Sequence, residues 1–226
     1  LGFIIFGGTK RIGKAAELIV PFMAIAYIIV ALIIIVINIG QLPDVISLIF
    51  RSAFGADAAF GGILGTAIQW GVKRGIYSNE AGQGTGPMAA AAAEVSHPAK
   101  QGLVQAFSVY VDTLFVCSAT AFMILITGSY NVKDAAGTGF IVENIPGVEL
   151  GPAYTQMAVD TLLPGFGSAF VAIALFFFAF TTLLAYYYYA ETNVAYLFRG
   201  SKNHKTWFLV TKIALLAMTF FGAVRT

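Results

Sequence analysis

Charge is what this sequence has least of. Only 11% of its 226 residues are charged, whereas 58% are hydrophobic and 14% aromatic, against roughly 25% charged in an ordinary soluble domain. A water-soluble globular domain is excluded on that balance, and no nucleic-acid partner is expected. Cysteine is nearly absent too: Cys117 stands alone, which rules out an internal disulfide and leaves a packed small hydrophobe. The two histidines, His97 and His204, lie in separate polar stretches without Cys or His companions, so no resident metal site is expected.

The missing charges are missing in blocks. None stands between Glu17 and Asp44 or between Asp160 and Glu191, and between Lys100 and Lys133 there is only Asp112. A helix crossing the hydrocarbon core needs about 20 mainly apolar residues, and each block supplies them. Barrel strands would alternate in polarity, but "VALIIIVI" is continuous. The chain therefore reads as an all-α, polytopic helical membrane protein.

Spans are expected at 18–39, 103–128, 165–190 and 206–224, with a fifth, broken one at 59–93. Residues 1–6 read as the tail of a helix that begins upstream, so the chain is expected to be part of a longer transporter whose N-terminal helices are absent. Between the spans lie a basic loop, "GGTKRIGKAAE", a short amphipathic stretch, "PDVISLIFRSAF", and a long loop at 129–163 with a short helix, "AYTQMAVDTLL". After the third continuous span, "AETNVAYLFRGSKNHK" is expected to leave the membrane. If every span crosses, Lys10, Arg11, Lys14, Lys100, Arg199, Lys202, Lys205 and Lys212 collect on one side and only Arg51 and Lys133 on the other. The first side is then cytoplasmic, and the count works only if 59–93 crosses once.

Two motifs are decoys. "GTKRIGK" has the spacing of a phosphate loop, but Ala15 stands where the magnesium-binding hydroxyl belongs and no buried strand precedes it. "GQGTG" lacks the spacing and the strand-helix-strand setting of a dinucleotide fingerprint. Hydrolytic triads and zinc motifs are absent from the sequence, and no enzyme activity is expected.

Polar residues inside spans are expensive and are functional by default. One group is "GIYSNEAGQGTGPMAAAAA", residues 75–93, where glycines at 75, 82, 84 and 86 and then Pro87 interrupt the helix before the alanines resume it. Unwound backbone at membrane depth is tolerated where it lines a cavity or is buried in protein, and broken helix ends bind carboxylates and small cations. The competing reading is a close-packing segment with Asn79 and Glu80 at a cytoplasmic mouth. Asp112 is a cation or proton site, or else half of an interhelical ion pair with Lys73 or Arg74. Thr181 and Thr182 are ion ligands, or else bond their own helix backbone. The tyrosines at 186–189 read as an interfacial belt.

"GVKRGIYSNEAGQGTGPMAAAAA", "QGLVQAFSVYVDTLFVCSATAFMIL", "FAFTTLLAYYYYAE" and "GGTKRIGKAAELIVPFMAIAYI" together resemble the sodium:alanine (alanine or glycine:cation) symporter family, over most of the chain. The resemblance implies the inverted-repeat fold of the bacterial leucine transporter, incomplete here. The chain would supply the end of the fourth helix, the fifth to eighth, and most of the ninth. It implies sodium-coupled symport of a small neutral amino acid, alanine or glycine, across the plasma membrane by alternating access, with sodium as coupling ion and no other cofactor. By likeness of fold, Ser78, Asn79, Glu80, Ala81, Gly82 and Gly84 would bind substrate at the break in the sixth helix. Thr181 and Thr182 on the eighth helix and Asp112 on the seventh would bind sodium. A proton-coupled transporter or a channel, using Asp112 and Glu80, is the alternative.

Overall fold

In the computed structural model the residues described are 2–7, 9–53, 71–75, 81–133 and 139–225. Helices α1 (Gly2–Ile5), α2 (Thr9–Ile37) and α3 (Leu42–Ala53) are followed by α4 (Gly86–Ala90), α5 (Pro98–Ile126), α6 (Pro152–Asp160), α7 (Gly167–Leu197) and α8 (His204–Arg225). Ile12–Ile37 of α2 and the whole of α5, α7 and α8 are long and apolar enough to cross a membrane. Their outer faces carry large exposed hydrophobics such as Leu18, Phe22, Phe107, Phe176 and Phe220. On that scale such surface needs lipid or further protein against it, and the protein is a polytopic helical membrane protein.

Several boundaries differ from the sequence reading. The basic stretch expected as a loop is helical from Thr9 onward, and α7 does not end near Ala190 but runs to Leu197. Lys, Arg, Glu and Ala are good helix formers, so charge marks where a helix meets water rather than where it stops. The alanine run departs in the opposite sense: α4 ends at Ala90, and Ala92 and Ala93 donate back only three residues, to Ala89 and Ala90. A helix this short has too few propagating bonds to repay nucleation, whatever its propensity. The long loop also holds an unexpected antiparallel hairpin, β1 (Asn131–Lys133) with β2 (Phe140–Glu143), bulged between Val132 and Lys133. Asn131 extends it with its buried side chain, donating from Nδ2 to the Ile145 carbonyl at 2.8 Å and accepting from the Ile145 N–H at 2.9 Å.

The chain forms two compact units, and α2, α5 and α7 divide their residues between them. In the unit comprising Ala24–Gln83 and Val104–Ala174, buried residues recur at helical spacing: Tyr27, Ala31 and Ile34 on α2, Ala119, Met123 and Ile126 on α5, and Tyr154 and Ala158 on α6. Steps of three and four put each set on one face. A Schellman turn closes α5: Ser129 N–H reaches the Ile124 carbonyl at 3.0 Å and Gly128 N–H the Leu125 carbonyl at 3.2 Å, with Gly128 at φ +65°. Tyr27 links two helices through a 2.7 Å hydrogen bond between its hydroxyl and that of Thr120, and its ring stacks on Phe170 with centroids 5.9 Å apart. Tyr27→Phe removes the hydroxyl, with its bonds to Thr120 and Thr155, and keeps the stacked ring, so a loss of about 1–2 kcal/mol is expected. The check is thermal unfolding of Tyr27→Phe, Thr120→Val and the pair, whose effects are expected to be non-additive because the two hydroxyls share one interaction.

The other unit comprises Leu1–Met23, Gly84–Leu103 and Leu175–Thr226. Ile5, Ile12, Leu184 and Tyr187 form its buried cluster, with Ala15, Phe180, Leu215 and Leu216 packed around it. Lys212 lies over the Phe6 ring, 5.7 Å from its centre. Tyr187 is thus a core residue rather than part of an interfacial belt, whereas Tyr186 is exposed. The tyrosine run stands eight to eleven residues before the end of α7.

Candidate functional site

The glycine-rich stretch breaks the helical course within its described part. Residues 71–75 are helical, Ala81–Gln83 form a single 3₁₀ turn, and Gly84 takes φ +73° before α4 begins at Gly86 with Pro87 in its first turn. A Cβ on Gly84 would meet nothing within 4 Å, so glycine is required there for its left-handed backbone rather than for space. Thr85 sits at the start of α4, and its carbonyl accepts from Met88 N–H at 3.0 Å. Of the predicted substrate residues, Gly82 and Gly84 are exposed and Ala81 opens the 3₁₀ turn. Ser78, Asn79 and Glu80 lie outside the described residues.

Asp112 stands at the midpoint of α5, fourteen residues from Pro98 and fourteen from Ile126. At the helical rise that is about 21 Å from either end. The helix changes register at this residue: Asp112–Cys117 is a π-helix inside the α-helix. Such segments open the backbone from i→i+4 to i→i+5 pairing and recur at functional sites. The Ser118 hydroxyl follows the wider spacing, donating to the Thr113 carbonyl five residues back at 3.1 Å. Asp112 is half-buried and Cys117 is exposed. The charge pattern located the carboxylate, but no local signal announced the π segment.

Thr181 and Thr182 stand close to the middle of α7, with Thr181 fourteen residues after Gly167 and sixteen before Leu197. Thr181 donates to the Phe177 and Phe178 carbonyls at 3.0 and 3.1 Å, and Thr182 to Phe178 at 2.8 Å. The hydroxyl hydrogens are therefore committed to the preceding turn, which leaves the oxygen lone pairs as acceptors. Asp112 belongs to the first unit described and the two threonines to the second.

Among the described residues no group of three His, Cys, Asp or Glu side chains could hold a metal ion. A cleft of about 360 Å³ opens by the ends of α2, α5 and α6, lined by residues that include Asn38, Gln41, Thr127 and Thr161. None of the predicted site residues lines it.

The sodium/proton-dependent alanine carrier protein of Bacillus sp. (strain PS3) is 66% identical over 226 residues, all of this chain and 51% of that protein. YrbD of Bacillus subtilis, whose name offers the same role only provisionally, is 70% identical over all of this chain and 46% of its own length. A third B. subtilis relative, named "Probable sodium/glutamine symporter GlnT", is 48% identical over 99% of this chain and 43% of its own. The chain thus spans about half the length of the curated relatives it matches. The sodium:alanine symporter family matches residues 1–226 without remainder, and the chain belongs to that family.

Proposed function

We propose that the protein carrying this chain is a sodium-coupled symporter that brings a small neutral amino acid, alanine or glycine, across the plasma membrane by alternating access. The observation that carries the reading is Asp112, a carboxylate at the midpoint of a 29-residue apolar helix where the backbone leaves α register. A carboxylate at that depth is costly unless a positive partner visits or stays, and a sodium ion is such a visitor. In this reading Asp112 gives sodium its charge complement, while Thr181 and Thr182 turn lone pairs toward a sodium ion. In the same reading Ser78, Asn79, Glu80, Ala81, Gly82 and Gly84 bind the substrate's ammonium and carboxylate, as the ends of interrupted membrane helices do.

Coupling requires that ion and amino acid stabilise the same occluded state, so that each raises the other's affinity by the same factor. The chain's own residues need only bind, orient and release, with no covalent step. The leucine-transporter-like inverted repeat is the frame we assign to these helices, completed by helices outside this chain. Membership alone leaves the amino acid open, because relatives named for alanine and for glutamine both match throughout.

The test is uptake of labelled alanine into proteoliposomes by the full-length protein, with external sodium replaced by potassium at fixed pH. Uptake is expected to fall to the protein-free background, and undiminished uptake in potassium would end the sodium reading. A second reading is proton coupling, favoured by the words "sodium/proton-dependent" in the name of the PS3 relative. An imposed pH gradient that drives uptake without sodium would select it.

A further inference from the structure

The turn that joins α7 to α8 is basic with no acidic residue beside it. From Thr192 to the end of the chain there is no Asp or Glu, while Arg199, Lys202 and Lys205 fall within seven residues. All three are exposed, and their side chains make no ion pair or hydrogen bond among the described residues. Lys212 is separate from this group, since it is half-buried against Phe6.

The segment is built rather than loose. Phe198 and Trp207 stack across the turn with ring centres 4.4 Å apart and planes 13° from parallel. Ser201 N–H closes on the Phe198 carbonyl at 3.0 Å, and Asn203 N–H on the Ser201 hydroxyl at 3.2 Å. The stack holds α7 and α8 together at their junction, so the three cations project from a fixed base. On the apolar side of the same turn Tyr196 and Leu197 are 78% and 72% exposed, and Trp207 is 43% exposed. A tryptophan between apolar side chains and free cations has the layering of a membrane–water interface.

We propose that this turn binds the headgroup of an anionic phospholipid, with Arg199, Lys202 and Lys205 around the phosphate and an acyl chain along Tyr196, Leu197 and the Trp207 ring. The charge is complementary in sign: basic residues beside a membrane helix attract anionic lipid at about 1 kcal/mol each. Arg199 adds the planar fork that holds two phosphate oxygens at once. The assignment relies on α7 and α8 crossing a membrane and is independent of what the protein transports.

The experiment is thermal unfolding of the full-length protein in neutral detergent, titrated with phosphatidylglycerol or phosphatidylcholine and read without substrate. Phosphatidylglycerol is expected to raise the Tm of the native protein and phosphatidylcholine to leave it in place. In the triple variant Arg199→Gln, Lys202→Gln, Lys205→Gln the phosphatidylglycerol concentration for half the shift should rise about tenfold or more. Lys133→Gln, on the opposite side by the Lys and Arg count, should keep the native response. If the triple variant has a lower Tm in phosphatidylcholine, Lys202→Arg with Lys205→Arg supplies the comparison and must respond as native does. A triple variant that answers phosphatidylglycerol as the native protein does overturns the proposal. So does inorganic phosphate that gives the same shift and abolishes the response to lipid, which would assign the turn to free anions.

Discussion

Gly167→Ala is expected to lower the unfolding temperature of the full-length protein more than any other single methyl addition at the described glycines. A Cβ built on Gly167 overlaps the carbonyl oxygen of Gln156 and stands 2.8 Å from Cγ and Oδ1 of Asp160. No flexible side-chain end lies in the way of the first contact, because Gln156 offers its backbone and belongs to α6, whose Tyr154, Ala158 and Val159 are buried. The same place carries the N-terminal cap of α7: Gly167 N–H donates to Asp160 Oδ1 at 2.7 Å. That carboxylate satisfies one of the first unpaired N–H groups of a 31-residue helix and faces the positive end of its dipole. Added volume must therefore move α6 away from the start of α7 and break the cap together. In an open helical position Gly→Ala stabilises by about 0.4–1 kcal/mol; here a loss of about 2–3 kcal/mol is expected from overpacking with the cap disrupted. Gly102→Ala is the control, since a Cβ there meets nothing within 4 Å. Equal Tm values for the two variants would show that α6 and α7 part without cost.

The second large effect is functional. Asp112→Asn keeps the shape and one carbonyl oxygen of the side chain and removes its charge, so folding should be little disturbed while ion binding loses its electrostatic complement. Under the proposed role the sodium concentration for half-maximal alanine uptake should rise about tenfold or more, equivalent to about 1.4 kcal/mol, with uptake partly restored at high sodium. Thr182→Ala should act in the same direction and less, because a neutral hydroxyl contributes one oxygen and no charge. Sodium titration of uptake in proteoliposomes reads both. A sodium dependence in Asp112→Asn that superimposes on the native curve removes Asp112 from the ion site, whatever happens to the maximal rate.

How far the sequence carried each of these residues depends on the range of the physics involved. The absence of charge between Glu17 and Asp44 and between Asp160 and Glu191 marks membrane helices because insertion into hydrocarbon is set by composition alone. Helix ends were less legible. Lys10, Arg11 and Lys14 suggested a loop, yet they belong to α2, since a helix continues past the membrane surface at no cost. Asp112, Thr181 and Thr182 were visible as polar residues among apolar ones. The π segment after Asp112 and the contact of Gly167 with Gln156 were not, because each depends on partners that no local pattern encodes. Gly84 was legible as a break, since the left-handed backbone at φ +73° is what glycine is for. Its neighbours Ser78, Asn79 and Glu80 rest on the family resemblance.

The π segment also bears on how this helix could change in length. A π turn is one residue spliced into an α-helix, and one residue is about 100° of rotation. Everything after Cys117 is thereby turned by that angle relative to an uninterrupted helix beginning at Pro98. Ala119, Met123 and Ile126 face the interior only because of the splice. Closing 112–117 to α pairing with every residue kept would swing this buried stripe about a quarter turn away from its packing partners, whereas removing one residue from 113–116 would give a wholly α-helical rod with the stripe still on its present face. The extra residue therefore sets the phase of the second half of the helix, and a change from π to α pairing at this point would rotate that half with no change of sequence.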